Sequence, residues 1–443
     1  MRFLREIYDL MLYGAKAYAD WDLTTSRRIL HSRKRLAILG LLLVPVVIGG
    51  IAFADDVAGA LPGMLGGKTA YAPAFYTGTI FFASIAVGLV AGLITGCIGA
   101  GGGFIIAPAL MSAGVKGILA VGTDLFHIFA KAIMGSVLHR KLGNVSVALA
   151  GVFLIGSVGG ATLGGYINRT LYEANPVLSD AFITTTYVLM LGFLCSYALY
   201  DFFRARKQDV KDAKAIAAGG KKKAGAMTGL AQRLQAINLP PMIKFDEGVT
   251  PGGRRISWLF LVLSGGLVGL AAAIMGVGGG FLTFPIFVYV LGVSSATTVG
   301  TDIFQIIFTA GYAGLGQYAI YGFIFYTLAM GMLLGSLVGI QVGSLVTKVV
   351  SGTTICGLYA VATSAGFINR AFALPGKLAK LEFISMSKEA GKMLDTVGTY
   401  VFFAVLGSFA LWVFWIFFTN IRVLKGEEEV FDEKHMHAKE AKA

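Results

Sequence analysis

Long stretches of apolar residues with almost no charge run through this chain, and they constrain its fold more than any other feature. They are about 18 to 27 residues long, enough for a helix to cross a hydrocarbon core about 30 Å thick. Of the 443 residues, 56% are hydrophobic and 14% charged, whereas soluble domains carry about 25% charged residues. The sequence therefore predicts an all-α polytopic membrane protein with roughly 9 to 12 membrane segments.

The apolar stretches divide the chain into five regions. They are an N-terminal interfacial helix with a first transmembrane span (1–75), a first repeat (76–203), a basic loop (204–255), a second repeat (256–368), and an interfacial segment with a last span and a charged tail (369–443). The sequence leaves open whether residues 1–54 are cleaved as a signal segment.

The net charge of +13 is concentrated in two places. Residues 204–255 hold twelve Lys or Arg against four acids, and residues 1–36 hold eight against four. Basic loops beside membrane spans mark the cytoplasmic side, so we expect both regions to be cytoplasmic; contact with lipid headgroups is the alternative. Nucleic acid is not expected as a partner. The three cysteines lie inside apolar segments, and no metal or cofactor is predicted.

One glycine-rich motif occurs twice in the chain. Its glycines are Gly99, Gly101, Gly102 and Gly103 in the first copy and Gly276, Gly278, Gly279 and Gly280 in the second, at an offset of 177 positions. Phe104 and Phe281 follow these glycines, and a Val-Gly-Thr-Asp-x-Phe sequence recurs further on at an offset of 178. Collinear repetition of this kind indicates a duplicated unit.

The two repeats are predicted to run in opposite directions. Residues 104–113 and 281–292 follow the glycines and are too short to span a bilayer, so they are expected to be half-helices. With each half-helix counted as one leg, six crossings separate the two basic regions. The first repeat then has five legs and starts outside, and the second has five legs and starts inside, so the repeats are inverted, as in many secondary transporters.

The glycine-rich breaks are the first candidate binding elements. Consecutive glycines expose backbone N–H groups, and each following half-helix directs the positive end of its dipole at the break. Two such ends brought together by inverted repeats would form an anion site near the midplane. The alternative is that the glycines serve only close helix packing.

Polar residues inside the apolar segments form the second candidate group. Asp124, His127 and Lys131 share one helix face, and charged groups at membrane depth commonly mark a pathway or a proton relay. The second repeat keeps Asp302 but has Gln305 in place of His127. The first repeat is thus expected to contribute positive or titratable groups, and the second neutral hydrogen bonds.

Purely structural roles, without any contact to a substrate, stay open for several of these residues. Lys131 could extend toward the cytoplasmic end of its helix, and His127 could be a neutral hydrogen-bonded residue. Thr123 and Thr301 could bond only to backbone carbonyls. The two aspartates could cap the broken backbone of the opposite repeat or carry a coupling proton.

The doubled Gly-x-Gly-Gly-Gly-Phe and Gly-Thr-Asp motifs resemble the TauE/SafE (DUF81) family of sulfite exporters over about residues 76–368. The resemblance implies a bacterial inner-membrane carrier that exports sulfite or a related small anion, driven by the proton gradient. Within such a carrier we expect the glycine N–H groups of both breaks to hold the oxygens of the substrate, helped by Thr123, Thr301, His127 and Lys131.

The sequence leaves alternatives open. An importer or channel for another small anion fits the same residues. A membrane-embedded enzyme or a sensor acting through residues 204–255 is a further reading. The identity of the anion, the coupling ion and the oligomeric state are not specified by the sequence.

Overall fold

A computed structural model describes residues 78–98, 102–141, 145–217, 229–246, 253–347 and 349–420. The N-terminal interfacial helix, the first span, the cleavage question and the charged tail from Lys425 all lie outside the described residues. So do Gly99 and Gly101.

Twelve helices and one hairpin make up the described part of the chain. They are α1 Gly78–Ile98, α2 Gly103–Ser112, α3 Gly117–Lys141, α4 Val147–Ala174, α5 Pro176–Ala217, α6 Gly229–Ala236, β1 Met242–Phe245, β2 Arg254–Ser257, α7 Trp258–Met275, α8 Gly280–Pro285, α9 Ser295–Gly311, α10 Tyr326–Val346, α11 Gly352–Lys380 and α12 Lys388–Thr419. α8 continues as a π-helix over Ile286–Leu291, and α9 continues as one over Tyr312–Tyr318.

Five of these helices, α4, α5, α7, α10 and α12, are long and apolar enough to cross a membrane. Apolar helices also occur at Phe81–Cys97, Gly103–Ser112 and Gly280–Leu291, which are shorter. Large apolar side chains such as Leu189, Leu411 and Trp415 are exposed on the outside of the bundle, as expected where lipid replaces water. The prediction of an all-α polytopic membrane protein is confirmed.

The two half-helices form where the glycine motifs predict them. Gly102 and Gly279 both adopt left-handed backbone conformations, with φ of 65° and 89°, at the N-caps of α2 and α8. Residues with a Cβ rarely adopt this conformation, so glycine permits the sharp turn that restarts each helix. Each half-helix begins one residue earlier than expected, at Gly103 and Gly280.

Two long helices of the first repeat pack along two long helices of the second repeat. α1 packs in parallel along α10, and a Cβ at Gly335 of α10 would lie 2.0 Å from the carbonyl oxygen of Ile85. α4 packs in the same manner along α7, where a Cβ at Gly156 would lie 1.9 Å from the Val262 carbonyl oxygen. Glycines on these faces let the backbones approach closely, which drives helix association in membranes.

The remaining long helices pair with their counterparts in antiparallel fashion. Phe129 of α3 contacts Gly311 of α9, and earlier in α3 Leu125 contacts Gly314 beyond the end of α9. α5 and α11 also run antiparallel, as seen where Cys195 contacts Ser364. The first helix of each repeat therefore packs on the fourth helix of the other, while the third and fifth pair with their own equivalents.

Part of the basic region 204–255 is folded onto the second repeat. β1 and β2 form an antiparallel hairpin that the sequence did not predict. The Asp246 carboxylate accepts hydrogen bonds from the N–H and hydroxyl of Ser294, the N-cap residue of α9. The guanidinium of Arg254 donates to the carbonyl of Gly292, just after the half-helix. This region therefore clamps the junction between α8 and α9.

Residues 369–380, expected to belong to an interfacial segment, continue α11 instead. A turn leads into α12, which begins at Lys388 and packs back along α11, with Gly391 against Gly376. The apolar run that suggested a span ending at 368 stops at Asn369 and Arg370, but the helix does not, because both polar side chains are buried and hydrogen bonded.

Candidate functional site

Both glycine breaks lie beside the middle of a long helix. A Cβ at Gly103 would lie 2.7 Å from the side chain of Ile128, near the centre of α3. A Cβ at Gly280 would lie 3.0 Å from Ile306, near the centre of α9 together with its π-helical continuation. The breaks are therefore deep in the bundle rather than at its ends.

The two breaks also contact each other. A Cβ at Gly103 would lie 3.1 Å from the Cα of Val277, and one at Gly278 would lie 2.7 Å from Ile128. Gly276 packs against the backbone of Val121 at the same junction. The described glycines of both motifs are buried and lie close to one another.

Asp124, His127 and Lys131 lie on one face of α3, and this face points toward the first break. His127 Nε2 lies 2.8 Å from the hydroxyl oxygen of Ser336 on α10, and its Nδ1 lies 3.6 Å from Asp124 Oδ1. Both side chains are fully buried. The Lys131 ammonium donates to Thr95 Oγ1 on α1 at 3.3 Å.

Lys131 is directed at the first break and not toward the end of its helix. Thr95, which accepts its hydrogen bond, lies against Gly102, where a Cβ would come within 2.6 Å of Thr95 Oγ1. Thr95 donates its own proton to the Ala91 carbonyl, so its oxygen is free to accept. A cation, a hydroxyl group and the start of a half-helix thus meet at one point.

The equivalent face of α9 carries neutral partners. Gln305 donates to Asp302 Oδ1 at 2.9 Å, and Thr309 donates to Gln305 Oε1 at 2.6 Å. Asp302 Oδ2 would lie 3.1 Å from a Cβ at Gly280, so this carboxylate sits at the N-terminus of α8. Asp124 in turn faces the backbone N–H of Ala107 in α2. Each aspartate therefore faces the half-helix of its own repeat, not the opposite one.

Thr123 and Thr301 link the two repeats. Thr123 Oγ1 accepts a hydrogen bond from the backbone N–H of Phe325, the N-cap residue of α10. Thr301 Oγ1 accepts from the N–H of Ser146, the N-cap residue of α4. These hydroxyl groups act as acceptors for N–H groups at helix starts in the opposite repeat, rather than as donors to carbonyls.

A cavity of about 210 Å³ opens beside the second break. Its walls are mainly aromatic and aliphatic side chains of α5, α8, α9 and α11, with carboxyl groups from Asp201 and Asp302. No lysine or arginine is among its lining residues, so its charge does not favour an anion.

Sequence reasoning missed two groups of polar residues. Arg370 is 1% exposed and donates to Asn369 Oδ1, Ser112 Oγ and the Pro108 carbonyl, which lie around the C-terminal end of α2. Ser336 and its counterpart Ser157 each reach the polar face of α3 or α9. The repeated Gly-Ser pair could have indicated the serines, but not their partners. Among the described residues, no group of His, Cys, Asp or Glu could hold a metal ion.

Comparison with known proteins agrees with this architecture. The family described as "Sulfite exporter TauE/SafE" matches residues 84–369, more than half of the chain. The chain is 24% identical over 265 residues to the probable membrane transporter protein YjnA of Bacillus subtilis (strain 168), covering 59% of this chain and 87% of that protein. It is also 24% identical over 285 residues to the probable membrane transporter protein YunE of the same strain, covering 62% and 91%.

No solved structure matches the chain. The family match spans the two glycine breaks, the polar faces of α3 and α9, and the helices that exchange partners between the repeats. It places the chain among multi-pass membrane transporters. The chain belongs to the TauE/SafE family of sulfite exporters.

Proposed function

We propose that this protein is a secondary-active transporter that carries sulfite or a related small anion across the bacterial inner membrane. The family description supports the substrate class and the outward direction. An enzymatic role is not proposed, since family and relatives are described as exporters or membrane transporters.

The observation that carries this proposal is the position of Lys131. Its ammonium group lies in the interior of the bundle, bonded to Thr95 beside the first break. Charged groups at membrane depth commonly mark a substrate or ion pathway. An anion bound at the break would lie beside this ammonium group.

The first break provides further groups for an anion. α2 begins at Gly103, so the N–H groups of its first turn and the positive end of its dipole face the break. Helix starts of this kind bind anions readily. At the second break the carboxylate of Asp302 already occupies the equivalent position beside Gly280. We therefore assign the anion to the first break, with the second break beside it.

We further propose that the two repeats are inverted and that the anion site alternates between the two sides of the membrane. The antiparallel pairing of α3 with α9 and of α5 with α11 supports opposite orientations of equivalent helices. The reciprocal pairing of α1 with α10 and of α4 with α7 supports a two-fold relation. Such repeats enclose a site near the midplane in many transporters.

The orientation in the membrane follows from the basic region 204–255. Its excess of Lys and Arg supports a cytoplasmic location for this region. The hairpin and α6 would then cover the cytoplasmic end of the second repeat, where α8 joins α9. No nucleic-acid partner is proposed.

The test is flux of sulfite, thiosulfate and a sulfonate through the full chain in proteoliposomes, with and without a pH gradient. We expect saturable flux of at least one of these anions. K131M should raise KM by about tenfold or more, since an ion pair away from bulk water contributes several kcal/mol. K380M removes an exposed lysine and serves as the control.

Two results would overturn the proposal at different levels. Absence of flux for every small anion would reject the transport function. Saturable flux with the same KM in K131M and K380M would reject the anion site at the first break. K131R is expected to retain part of the affinity, because it keeps the charge but not the shape of the ammonium group.

A further inference from the structure

A row of buried polar atoms, which we call the first polar chain, connects α1, α10 and α3. It runs from the Gly88 carbonyl to Ser336 Oγ, then to His127 Nε2, and from His127 Nδ1 to Asp124 Oδ1. The three successive separations are 3.0, 2.8 and 3.6 Å. The side chains of Ser336, His127 and Asp124 are at most 1% exposed.

Three contacts need three protons, and the first polar chain holds only two when the aspartate is ionised. The Ser336 hydroxyl donates to the Gly88 carbonyl, and His127 donates from Nε2 to the Ser336 oxygen. A neutral imidazole has then no proton at Nδ1. The lone pair of Nδ1 faces the carboxylate oxygen of Asp124, and their separation of 3.6 Å is too long for a hydrogen bond.

Reversing the donors in the first polar chain still leaves one contact without a proton. If Ser336 donated to Nε2 and Nδ1 donated to Asp124, the serine oxygen would face the Gly88 carbonyl at 3.0 Å without a proton between them. Among the described residues, neither Asp124 oxygen nor His127 Nδ1 has a partner that meets hydrogen-bond geometry, although the N–H of Ala107 faces Asp124. Buried polar atoms without partners are uncommon and call for a specific explanation.

The second repeat contains the matching row, which we call the second polar chain, and it has no deficit. It runs from Ser157 to Thr309, Gln305 and Asp302, with separations of 2.8, 2.6 and 2.9 Å. The two hydroxyl groups and the amide of Gln305 each contribute a proton to one contact. All three contacts are complete while Asp302 is ionised.

We propose that the gap between Asp124 and His127 is a proton-binding site, and that the second polar chain has no matching gap. A proton entering from water would bind to either group and convert the 3.6 Å contact into a hydrogen bond. No covalent bond other than the one to the proton forms or breaks. The charge of the site rises by one unit.

This inference rests on the proposed function for its consequence. Lys131 is one helical turn beyond His127 and faces both it and Asp124. A proton bound to the pair removes a negative charge beside the lysine, so binding of a proton and of an anion favour each other. Because such coupling is reciprocal, anion affinity should rise as pH falls.

The other groups around the pair are accounted for. Tyr187 of α5 faces Asp124, and its hydroxyl donates to the carbonyl of Met275 at the second break. Arg370 of α11 also faces Tyr187. The backbone N–H of Ala107 in α2 faces Asp124.

The test compares D124N with D302N, since the two aspartates occupy equivalent positions in the first and second polar chains. In the full chain without any added anion, infrared spectra are recorded as the pH is lowered. A change in carboxyl or imidazole absorption is expected in the wild type and in D302N, and the change that D302N retains is expected to be lost when D124N or H127Q is added to D302N. H127Q gives the first polar chain a glutamine, the side chain that completes the hydrogen bonds of the second polar chain at Gln305.

Affinity for thiosulfate, which stays fully ionised near neutral pH, provides the second measurement. It should change by up to about tenfold per pH unit in the wild type and in D302N, and not in D124N or H127Q. A titration lost in D302N but kept in D124N would overturn the proposal. If the variants do not fold, nitrogen NMR of isotope-labelled histidine in the wild type decides. An imidazole that carries its proton at Nδ1 at every pH contradicts it.

The two proposals fail in different ways. Proton titration by the pair without flux of any anion would leave this site standing and reject the transport function. Anion flux that depends on Lys131, without titration of the Asp124–His127 pair or without dependence of affinity on pH, would reject the proton-binding site and leave the transport function standing.

Discussion

Replacement of Arg370 by methionine tests what holds the first half-helix in place. Its guanidinium forms two bonds to α2, at 2.6 Å to Ser112 Oγ and 3.3 Å to the Pro108 carbonyl, and one at 2.7 Å to its neighbour Asn369. Methionine fills most of the volume without any donor. Ser112 and Asn369 can still bond to each other, so few groups are left unpaired.

The magnitude follows from the two bonds that join α11 to α2. Polar contacts between membrane helices contribute about 0.6 kcal/mol on average and up to about 1.7 kcal/mol. R370M should therefore lower the free energy of unfolding by about 1 to 3 kcal/mol. R370K keeps the charge but has no planar fork, so it should lose about half as much. K380M removes an exposed charge and should change stability by less than about 0.5 kcal/mol.

The assay is equilibrium unfolding of the full chain from mild detergent into sodium dodecyl sulfate, followed by tryptophan fluorescence. If R370M and K380M unfold at the same point, Arg370 does not fix α2. If R370M instead keeps wild-type stability but raises KM for the anion, the arginine contacts the substrate. Either result would refute the reasoning from hydrogen bonds.

Three further predictions concern packing and helix caps. T123V and T301V each remove one acceptor for an N-cap N–H of the opposite repeat, and each should cost about 1 kcal/mol in the same unfolding assay. G335V places side-chain atoms where the backbones of α10 and α1 are in contact, so it should prevent stable folding. G407V is the control and should be tolerated, because nothing lies within 4 Å of a Cβ at Gly407. D246A removes two bonds of 2.8 Å to Ser294 and should expose the hairpin to proteolysis.

The glycine breaks were predictable because their cause is local. Consecutive glycines at Gly101–Gly103 and Gly278–Gly280 permit the left-handed turn, and the apolar run that follows each set is too short to span a bilayer. The duplication then made the two half-helices recognisable as one element seen twice. No contact with a distant residue is needed for either inference.

The partners of these elements could not be predicted in the same way. Ser336 bonds to His127 across 209 positions, and Arg370 to Ser112 across 258. Because the first helix of each repeat packs on the fourth helix of the other, the contacts of these helices do not join equivalent positions of the two repeats. A charge directly after an apolar run, as at Arg370, has the same appearance in sequence whether it lies in the interface or is buried by a later helix.

The folded part of the basic region was hidden for a different reason. Composition marks residues 204–255 as polar and basic, and such a segment is expected to be a loop. The short strands at Met242–Phe245 and Arg254–Ser257 are too brief to give a clear alternating pattern. Their stability depends on Asp246 and Arg254 binding the junction after α8, which only the three-dimensional structure reveals.

The difference between the two polar chains has a consequence for a transporter built from two inverted copies. In an exactly symmetric pair, each repeat can adopt the conformation of the other, and the inward and outward states are related by symmetry. A proton that bound both chains equally would favour neither state, because a ligand shifts an equilibrium only through its differential affinity. If the proposed site binds a proton, protonation would act on one repeat alone, because His127 in the first polar chain is replaced by Gln305 in the second. The substitution that makes the first polar chain one proton short would then also allow a proton to favour one of the two states.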